Sequence, residues 1–387
     1  MHRAATHGSD RSVLMVVHSA FPAIGGAEIQ AARLSAALRR RQWNVQVIAL
    51  HGQPVADPDS DFSQVPVIRI ACPAIPGLAG TLLVLRFAYE LFRRRHTYNI
   101  VQVHIVKTMA FVASIMGQWL GKKVVLKVSG YDELDHGLLS EPGSRSLRFR
   151  VMNWGCRKAD VVVAISRYVQ RRLRALGYRD EQIVYLPNGI DVTRFAPNPN
   201  GRQGDAFSEA APPVAVFVGR FSPQKGLYDL LEAWVMVHQE FPNATLRLVG
   251  DGALRAGLEA LVRAELALRD SVVFTGASHH VEEHYAAADC YVCSSHSEGL
   301  SNTMLEAMAT GLPIVSTRVS GAEDLVEDGK NGFLVPICDP RALAGGISEI
   351  FRDRERARIM GGNSRAIALQ VFDMERVVDK YEDIYSH

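Results

Sequence analysis

Short apolar runs alternate with amphipathic segments along the first half of the chain. Six apolar runs predict strands, at residues 13–17, 45–50, 65–70, 100–103, 124–128 and 161–165. Helical patterns separate several of them, such as residues 27–40 and 146–156. Strands that are apolar along their whole length and alternate with helices are typical of a parallel sheet covered on both faces. The pattern therefore predicts one doubly wound α/β domain.

The same alternation starts again after a polar stretch at residues 197–213, which is rich in Asn, Gly and Pro. Strands are predicted at residues 214–218, 245–249, 271–274, 290–293 and 313–316, with helices such as 227–239 and 303–309. A second doubly wound, Rossmann-like domain follows from this pattern. Ligands of such sheets bind at the carboxyl ends of the strands, so we expect a site in a cleft that the two domains face.

Composition agrees with two globular domains, because the 387 residues are 48% hydrophobic and only 22% charged. The net charge of +2 conceals an asymmetry between the halves. Residues 1–190 carry 25 Lys or Arg against 13 Asp or Glu, whereas residues 191–387 carry 18 against 28. A basic first half is suited to an anionic surface. No interleaved aromatics or known module accompanies the charge, so nucleic acid is not expected as a partner.

Cysteine usage and the N-terminus favour the cytoplasm. Five scattered cysteines do not form a secreted disulfide framework, and residues 1–11 lack the apolar stretch of a signal peptide. Cys290 and Cys293 lie on a predicted strand, where a spacing of three directs their side chains to opposite faces. The basic-ended segment at residues 78–92 is too interrupted to span a membrane, and we expect it either to pack on the sheet or to lie on a membrane surface.

No metal site is expected. The histidines with helical spacing have no cysteine or carboxylate set to complete a site, and the acidic D-x-D pattern lies in a Pro- and Ser-containing loop. These residues are His279, His280 and His284, and Asp57, Asp59 and Asp61.

The segment at residues 297–313 carries the most chemistry. It places Glu298 in a glycine-containing loop after a strand and Glu306 in the opening turn of a helix. Backbone N–H groups at such a helix N-terminus can hold an anion such as a diphosphate. Glu306 has a second interpretation, because Thr303 and Glu306 have the spacing of a capping box.

This segment resembles the signature of the retaining glycosyltransferases of family four, which have the GT-B fold. Shorter matches lie in the same order along residues 12–385. They are Gly25 and Gly26 with Ala27 and Glu28, Asn188 to Asp191 with Phe195 and Pro197, Gly219 and Arg220 with Lys225 and Gly226, Val249 to Gly252, Phe274 to Gly276, and Asp289. By this resemblance the N-terminal domain, residues 1–190, binds the acceptor, and the C-terminal domain, residues 191–372, binds the donor. The terminal amphipathic helix at 373–387 would cross back to the first domain.

The resemblance assigns the donor side to the second domain. It implies that Arg220 and Lys225 neutralise the diphosphate of a nucleotide sugar and that Glu298 holds the transferred sugar, which makes these three the catalytic candidates. Glu306 would hold the ribose. The remaining donor-binding candidates are Gly250, Thr275, Gly276, Gly299, Leu300, Ser301, Asn302 and Thr303.

The acceptor or phosphate side is expected in the first domain, at Gly25, Gly26, His104 and Ser129. Gly25 and Gly26 form either a plain turn or a close approach to a ligand. His104 has either a substrate-side or a structural role. Ser129 stands where many family members have a histidine; it can donate to a sugar hydroxyl but carries no charge at neutral pH. The polar group Asp132, Glu133, Asp135 and His136 that follows is either an acceptor contact or a loop.

The resemblance therefore implies a retaining, metal-independent hexosyltransferase that uses a nucleoside diphosphate sugar, with no cofactor. Its acceptor would be a glycan or a lipid-linked hydroxyl in cell-surface polysaccharide or glycolipid synthesis. A run of basic residues favours peripheral contact with the inner face of a membrane; it comprises Arg145, Arg148, Arg150, Arg157, Lys158, Arg167, Arg171, Arg172 and Arg174. Two alternatives stay open: a sucrose- or trehalose-type synthase of a small glycoside, and a non-catalytic nucleotide-sugar-binding protein.

Overall fold

The computed structural model describes residues 11–18, 25–50, 65–70, 78–130, 133, 147–198 and 211–387. Several positions singled out in the sequence lie outside these ranges: Asp57, Asp59, Asp61, Asp132, Asp135, His136 and Arg145, with part of the 197–213 stretch. The chain divides into two compact units, Met1–Gly189 with Met374–His387, and Ile190–Asp373.

The first unit contains a seven-stranded parallel sheet of order β3-β2-β1-β4-β5-β6-β7. Its strands are β1 Ser12–Val17, β2 Asn44–Ala49, β3 Val67–Arg69, β4 Ile100–His104, β5 Lys123–Val128, β6 Val161–Ala164 and β7 Ile183–Tyr185. Every residue of β1 is buried, because elements cover both faces of the sheet.

Six helices belong to this unit within the described ranges. They are α1 Gly26–Arg40, α2 Ala79–Arg93, α3 Thr108–Leu120, α4 Leu147–Cys156, α5 Arg167–Ala175 and the C-terminal α13 Met374–Ser386. Local signals fix their ends: Ser166 caps α5 by accepting from the N–H of Val169, and Gly121 ends α3 at a φ of +63°. Helix α13 packs on α1 and adds Val378 and Tyr381 to the core of the first unit.

The second unit contains a six-stranded parallel sheet of order β10-β9-β8-β11-β12-β13. Its strands are β8 Val214–Val218, β9 Thr245–Val249, β10 Val272–Gly276, β11 Cys290–Cys293, β12 Ile314–Thr317 and β13 Gly332–Val335. Its helices are α6 Leu227–Glu240, α7 Arg255–Ala264, α8 Leu266–Arg269, α9 Val281–Ala286, α10 Asn302–Ala309, α11 Pro340–Arg352 and α12 Arg354–Ile367. Cys290 and Cys293 are buried, free thiols on β11.

The two parallel α/β units confirm the predicted fold class. The predicted strands lie within two residues of the observed ends, but β7 and β13 were not predicted, because each is a short edge strand with two residues that are only partly buried. The segment at residues 78–92 forms α2, which buries Leu83, Phe87 and Leu91 along one stripe. None of the helices in the described ranges is both long and apolar enough to cross a bilayer.

Candidate active site

Glycine loops follow β8, β9 and β10 and lie against one another at the carboxyl edge of the second sheet. The N–H of Gly219 donates to the carbonyl of Val249 (3.0 Å), and the N–H of Gly250 donates to the carbonyl of Gly276 (2.8 Å). A Cβ atom at Gly250, where φ is +145°, would lie 1.9 Å from the carbonyl oxygen of Gly219. Glycine is required at this position. The backbone next to Arg220 is thereby held against the loop after β9.

Lys225 and Glu298 form the central ion pair of this edge. The Nζ atom of Lys225 contacts Oε1 of Glu298, and the hydroxyl of Ser295 donates to the same carboxylate oxygen (3.1 Å). The two charged side chains are only 16% and 14% exposed. Burial acts to lower the pKa of Lys225, but the charge of Glu298 and its hydrogen bond raise that pKa above its usual value. Lys225 is therefore held as a cation.

Backbone contacts join the loops that carry these two residues. Gly226 has a φ of +59°, and a Cβ atom there would lie 2.0 Å from the carbonyl oxygen of Ser294. The hydroxyl of Ser294 donates to the carbonyl of Lys225 (2.8 Å), and the N–H of His296 donates to the carbonyl of Gln224 (2.8 Å). The ammonium and the carboxylate are thus positioned by one rigid unit.

Arg220 adds a second cation to this edge. Its side chain is exposed. The positive charge of Arg220 acts to lower the pKa of Lys225, so the two cations are close enough to interact electrostatically. Two cations beside glycine loops are suited to a diphosphate, because charge-assisted hydrogen bonds to phosphate oxygens are strong.

Glu306 lies in helix α10 and is 6% exposed. The hydroxyl of Tyr285, on α9, contacts its Oε2 atom (3.1 Å). The capping-box interpretation is wrong, because Ser301 caps this helix by accepting from the N–H of Met304 (3.4 Å). The helix begins at Asn302, so Glu306 lies too far along it to return to the cap. Its carboxylate is positioned by a tyrosine that the sequence analysis did not identify.

The segment Gly299 to Thr303 forms the turn into α10. Hydroxyls link this turn to the sheet, because Thr303 Oγ1 lies 2.8 Å from the hydroxyl of Tyr291 and 3.1 Å from that of Ser301. Leu300 is buried beside them. The first N–H groups of a helix have no acceptor within it, so those of Asn302 and Thr303 suit an anion.

The loop after β12 supports this turn from the other side. A Cβ atom at Gly321 would lie 1.7 Å from the carbonyl oxygen of Gly299, and the hydroxyl of Ser320 donates to the carbonyl of Glu298. Neither Ser320 nor Gly321 was a candidate from the sequence. Thr275 and Gly276 end β10, and the exposed Thr275 hydroxyl lies 3.4 Å from the carbonyl of Leu248.

In the first unit, Gly25 and Gly26 begin helix α1. A Cβ atom at Gly25 would lie 2.1 Å from Oε2 of Glu28, whose side chain folds back over the N-terminus. Glu28 is buried. A carboxylate in this position repels phosphate and accepts from hydroxyl groups. The turn therefore suits a hydroxyl-bearing ligand better than a phosphate.

Ser129 follows β5, and its backbone N–H donates to a buried carboxylate. Glu133 accepts from three backbone N–H groups, those of Val106, Ser129 (2.6 Å) and Gly130 (2.7 Å). Burial raises the pKa of Glu133 to about 7, although these three donors act in the opposite direction. Within the described part of the chain, the buried hydroxyl of Ser129 has no hydrogen-bond partner. Of the two interpretations of the polar group, Glu133 fits the loop-forming one.

Replacing Glu133 by Ala is expected to destabilise the first unit. Each buried N–H left without an acceptor costs about 1–3 kcal/mol, so the midpoint of its thermal unfolding should fall by several degrees. Differential scanning calorimetry measures the shift. Glu181→Ala, at an exposed position of the same unit, should change the midpoint little; equal midpoints for both variants would contradict the role of Glu133.

His104 does not line an open surface. It is 1% exposed, and its Nε2 lies 3.0 Å from the amide nitrogen of Gln102. The hydroxyl of Tyr385, from α13, donates to the amide oxygen of the same glutamine. Burial and the charge of Lys127 hold the pKa of His104 well below its usual value. These contacts favour the structural role and correct the expectation of an accessible substrate-side residue.

Lys127 lies buried next to His104 with its Nζ 6.0 Å from the ring of Tyr381, and burial lowers its pKa to about 7. In the unfolded chain Lys127 has its ordinary pKa, so between pH 7 and about 10 the unfolded chain binds more protons than the folded one. The free energy of unfolding therefore rises with pH over this range. Lys127→Met removes this titration. We expect it to raise the unfolding midpoint more at pH 6 than at pH 9, as calorimetry at the two pH values would show; a pH-independent difference would contradict the assignment.

Comparison with known proteins decides the family. The model for "Glycosyltransferase Family 4" matches residues 24–194, and that for "Glycosyl transferases group 1" matches residues 212–353. The GDP-mannose-dependent alpha-(1-6)-phosphatidylinositol monomannoside mannosyltransferase of Mycolicibacterium smegmatis is 30% identical over 290 residues, which cover 70% of this chain and 74% of that protein. The chain belongs to the family-four glycosyltransferases.

Further relatives of this glycosyltransferase span nearly its whole length. The N-acetyl-alpha-D-glucosaminyl L-malate synthase of Bacillus anthracis is 27% identical over 375 residues, 94% of each chain. The crystal structure of Anabaena Alr3699/HepE in complex with UDP-glucose is similar with a TM-score of 0.77 and 25% identity, covering 97% of this chain and 99% of that one. The predicted family and the GT-B fold are confirmed.

Proposed function

We propose that this glycosyltransferase moves a hexose-type sugar, with retention, from a nucleoside diphosphate sugar to a hydroxyl of a glycan or lipid-linked acceptor in cell-surface polysaccharide or glycolipid synthesis. The observation that carries the proposal is the Lys225–Glu298 pair beside Arg220. The named substrates of two relatives support it, since one is GDP-mannose-dependent and another structure holds UDP-glucose.

Charge on the departing group explains the two cations. As the bond from the anomeric carbon to the phosphate oxygen breaks, the nucleoside diphosphate gains negative charge. Lys225 and Arg220 stabilise that charge more in the transition state than in the bound donor. The N–H groups that open α10 act in the same direction. Glu298 accepts hydrogen bonds from hydroxyls of the transferred sugar, and Glu306, oriented by Tyr285, accepts those of the ribose.

Retention of configuration at the anomeric carbon requires that the new bond forms on the same face of the sugar from which the phosphate departs. The acceptor oxygen bonds to the anomeric carbon, and its proton passes to the departing phosphate oxygen. This bond exchange and proton transfer need no enzyme nucleophile, so Ser129 in place of a histidine is compatible with catalysis. Ser129 would donate to a hydroxyl of the sugar or acceptor, which bears on the choice of sugar rather than on the reaction.

Lys225 and Arg220 supply the positive charge that a diphosphate requires, so we propose that the bond exchange itself needs neither a metal nor a cofactor. The test is release of nucleoside diphosphate from UDP-, GDP-, dTDP- or ADP-sugars by the chelator-treated protein. Release that continues in excess EDTA is expected. Release that occurs only after Mg²⁺ or Mn²⁺ is added would overturn the metal-independent mechanism.

A surface of the first unit supports an acceptor held at a membrane. Helix α3 packs against both α2 and α4, and exposed apolar side chains cover these three helices: Leu85, Tyr89, Phe92, Trp119, Leu147, Val151 and Trp154. We call this surface the α2–α4 face. Trp119 is 68% and Trp154 51% exposed, and the rings of Phe92 and Trp119 stack with centroids 5.8 Å apart.

Basic side chains lie over two of these rings, a pairing that the sequence pattern did not indicate. Arg95 lies 4.2 Å from the centroid of Phe92, and Lys158 lies 4.6 Å from that of Trp154. Exposed Arg150 lies on the same helix, α4, as Trp154. Aromatic rings with flanking cations fit the interface of an anionic bilayer. We therefore propose peripheral contact of this face with the inner face of the membrane, which rests on the expected cytoplasmic location.

Replacing Trp119 and Trp154 together by Ala is expected to weaken binding to anionic vesicles by about tenfold or more, because burying an aromatic side chain contributes roughly 1.5–3 kcal/mol. Cosedimentation with phosphatidylglycerol vesicles at low salt measures the effect. Leu266→Ala, a 74% exposed apolar position in the second unit, is the matched control. Membrane docking by this face would be contradicted if all three proteins sedimented equally with anionic vesicles. It would also be contradicted if the wild type sedimented equally with anionic and neutral vesicles.

One relative favours a second candidate, synthesis of a small soluble glycoside. The name of the Bacillus anthracis protein is that of a synthase of a glucosaminyl malate, and the similarity extends over 94% of both chains. Transfer to a soluble hydroxy acid or sugar with no dependence on vesicles would favour this candidate. A non-catalytic protein would bind donors without releasing nucleoside diphosphate.

A further inference from the structure

Three side chains with metal-ligating atoms meet on the surface of the second unit, outside the donor residues described above. They are Asp229 in the first turn of α6, His296 in the loop after β11, and Cys338 after β13. Oδ2 of Asp229 lies 2.7 Å from Nε2 of His296. One ligand atom from each residue lies within 4.8 Å of the other two.

We propose that Asp229, His296 and Cys338 bind a transition-metal ion of the Zn²⁺ class. A thiolate, an imidazole and a carboxylate are the donors that Zn²⁺ prefers, and three protein ligands leave a fourth position for water. Bonds of about 2.0–2.3 Å place tetrahedral ligand atoms roughly 3.3–3.7 Å apart. The His296 and Asp229 side chains are 38% and 27% exposed, and Cys338 is exposed, so small rotations achieve this spacing.

The backbone at Cys338 is unusual in a way that fits a ligand. Its φ is +58°, a conformation that residues with a Cβ atom rarely adopt and that accumulates at functional sites. No metal site was expected from the sequence, because its candidate clusters are local in the chain. Here three separate elements bring single ligands together.

The site adjoins the two loops that carry Lys225 and Glu298. His296 is two residues from Glu298, its N–H bonds the carbonyl of Gln224, and its ring packs on Gly226, where a Cβ atom would lie 3.0 Å from Nε2. A metal bound to Asp229 and His296 therefore ties α6 to the loop that carries Glu298. Its role is to fix these loops, and it takes no part in the bond exchange.

Cobalt provides a spectroscopic test that is independent of catalysis. The full-length protein, reduced and stripped of metal with a chelator, is titrated with Co²⁺. We expect saturation at one ion per chain, with a sulfur-to-cobalt charge-transfer band in the near ultraviolet and visible bands of tetrahedral Co²⁺. Zn²⁺ should displace these bands and raise the unfolding temperature. Binding should strengthen with pH, because the thiol loses its proton on binding.

Matched variants identify the ligands. Cys338→Ser should lose the charge-transfer band and bind Co²⁺ at least about tenfold more weakly. Asp229→Asn should weaken binding while retaining the band, and His279→Gln, which changes an exposed histidine elsewhere in this unit, should behave as wild type. A wild-type protein without the sulfur band, or a Cys338→Ser variant of unchanged affinity, would overturn the proposal. Neither outcome depends on whether the protein transfers sugar.

Discussion

Glu298→Gln is expected to lower kcat/KM for donor cleavage by about 100-fold, because a charge-assisted hydrogen bond contributes roughly 1.5–3 kcal/mol and Glu298 makes more than one. Its carboxylate accepts from Lys225 and Ser295 and would accept from the transferred sugar. Glutamine keeps the shape and one acceptor oxygen but removes the charge. Alanine is less informative, because it removes both acceptor oxygens and the side-chain volume together with the charge.

The pH profile gives this variant a second, more specific readout. Glu298 raises the pKa of Lys225, whereas burial acts to lower it. Without the carboxylate charge, Lys225 loses its proton at a lower pH. The alkaline decline of the residual activity should therefore start at a lower pH than in the wild type. Glu327→Gln, at an exposed position of the same unit, should change neither rate nor profile; a Glu298→Gln rate within threefold of wild type would exclude the proposed role.

Lys225→Met is expected to lower kcat by about 10²–10³-fold, the effect of removing one preorganised group that stabilises developing negative charge. The residual activity would come from Arg220 and from the N-terminus of α10. KM for the donor should rise less than kcat falls, because Lys225 acts mainly on the charge that appears as the bond breaks. Steady-state release of nucleoside diphosphate measures both constants.

The double variant Glu298→Gln with Lys225→Met tests whether the two residues act as one unit. Residues in direct contact are rarely additive, so the double variant should lose little more than Lys225→Met alone. The control is Glu327→Gln with Lys330→Met, which changes an exposed ion pair with its charged atoms 2.7 Å apart. This double substitution should leave the rate unaltered. If the fold-loss of the double variant equals the product of the two single losses, Glu298 and Lys225 act independently.

Strand positions were readable from the sequence because most strands are buried on both faces. Residues 214–218 and 290–293 are uninterrupted apolar runs, and the structure places β8 and β11 there. Strand β7 has three residues, two of them only partly buried, so its pattern is indistinguishable from that of a loop. The fold class was therefore predictable, while the edge strands β7 and β13 were not.

The candidate site was less predictable, because local rules do not show which distant residues meet. Thr303 and Glu306 have the spacing of a capping box, yet Ser301 caps the helix and the hydroxyl of Thr303 contacts Tyr291 instead. Lys225 and Glu298 are 73 positions apart in the sequence, and no local pattern indicates their contact.

The structural roles of the buried residues Glu133 and His104 were also not predictable from the sequence. Glu133 looked like one member of a polar loop, whereas the neighbouring ends of β4 and β5 place three N–H donors around it. His104 was equally ambiguous at the end of its strand. Its burial follows from packing that includes Gln102 and the terminal helix, and no pattern in residues 100–104 indicates this. Such roles depend on topology, which only the folded chain supplies.

The central claim is that the carboxyl edge of the second sheet binds and activates a nucleoside diphosphate sugar. The most direct test is thermal stabilisation by UDP-, GDP-, dTDP- and ADP-sugars, measured on the wild type and on Lys225→Met. A donor at 100 times its Kd should stabilise the wild type by about 2.7 kcal/mol, and the variant clearly less at the same concentration. Equal stabilisation of both proteins, or none by any donor, would contradict the account.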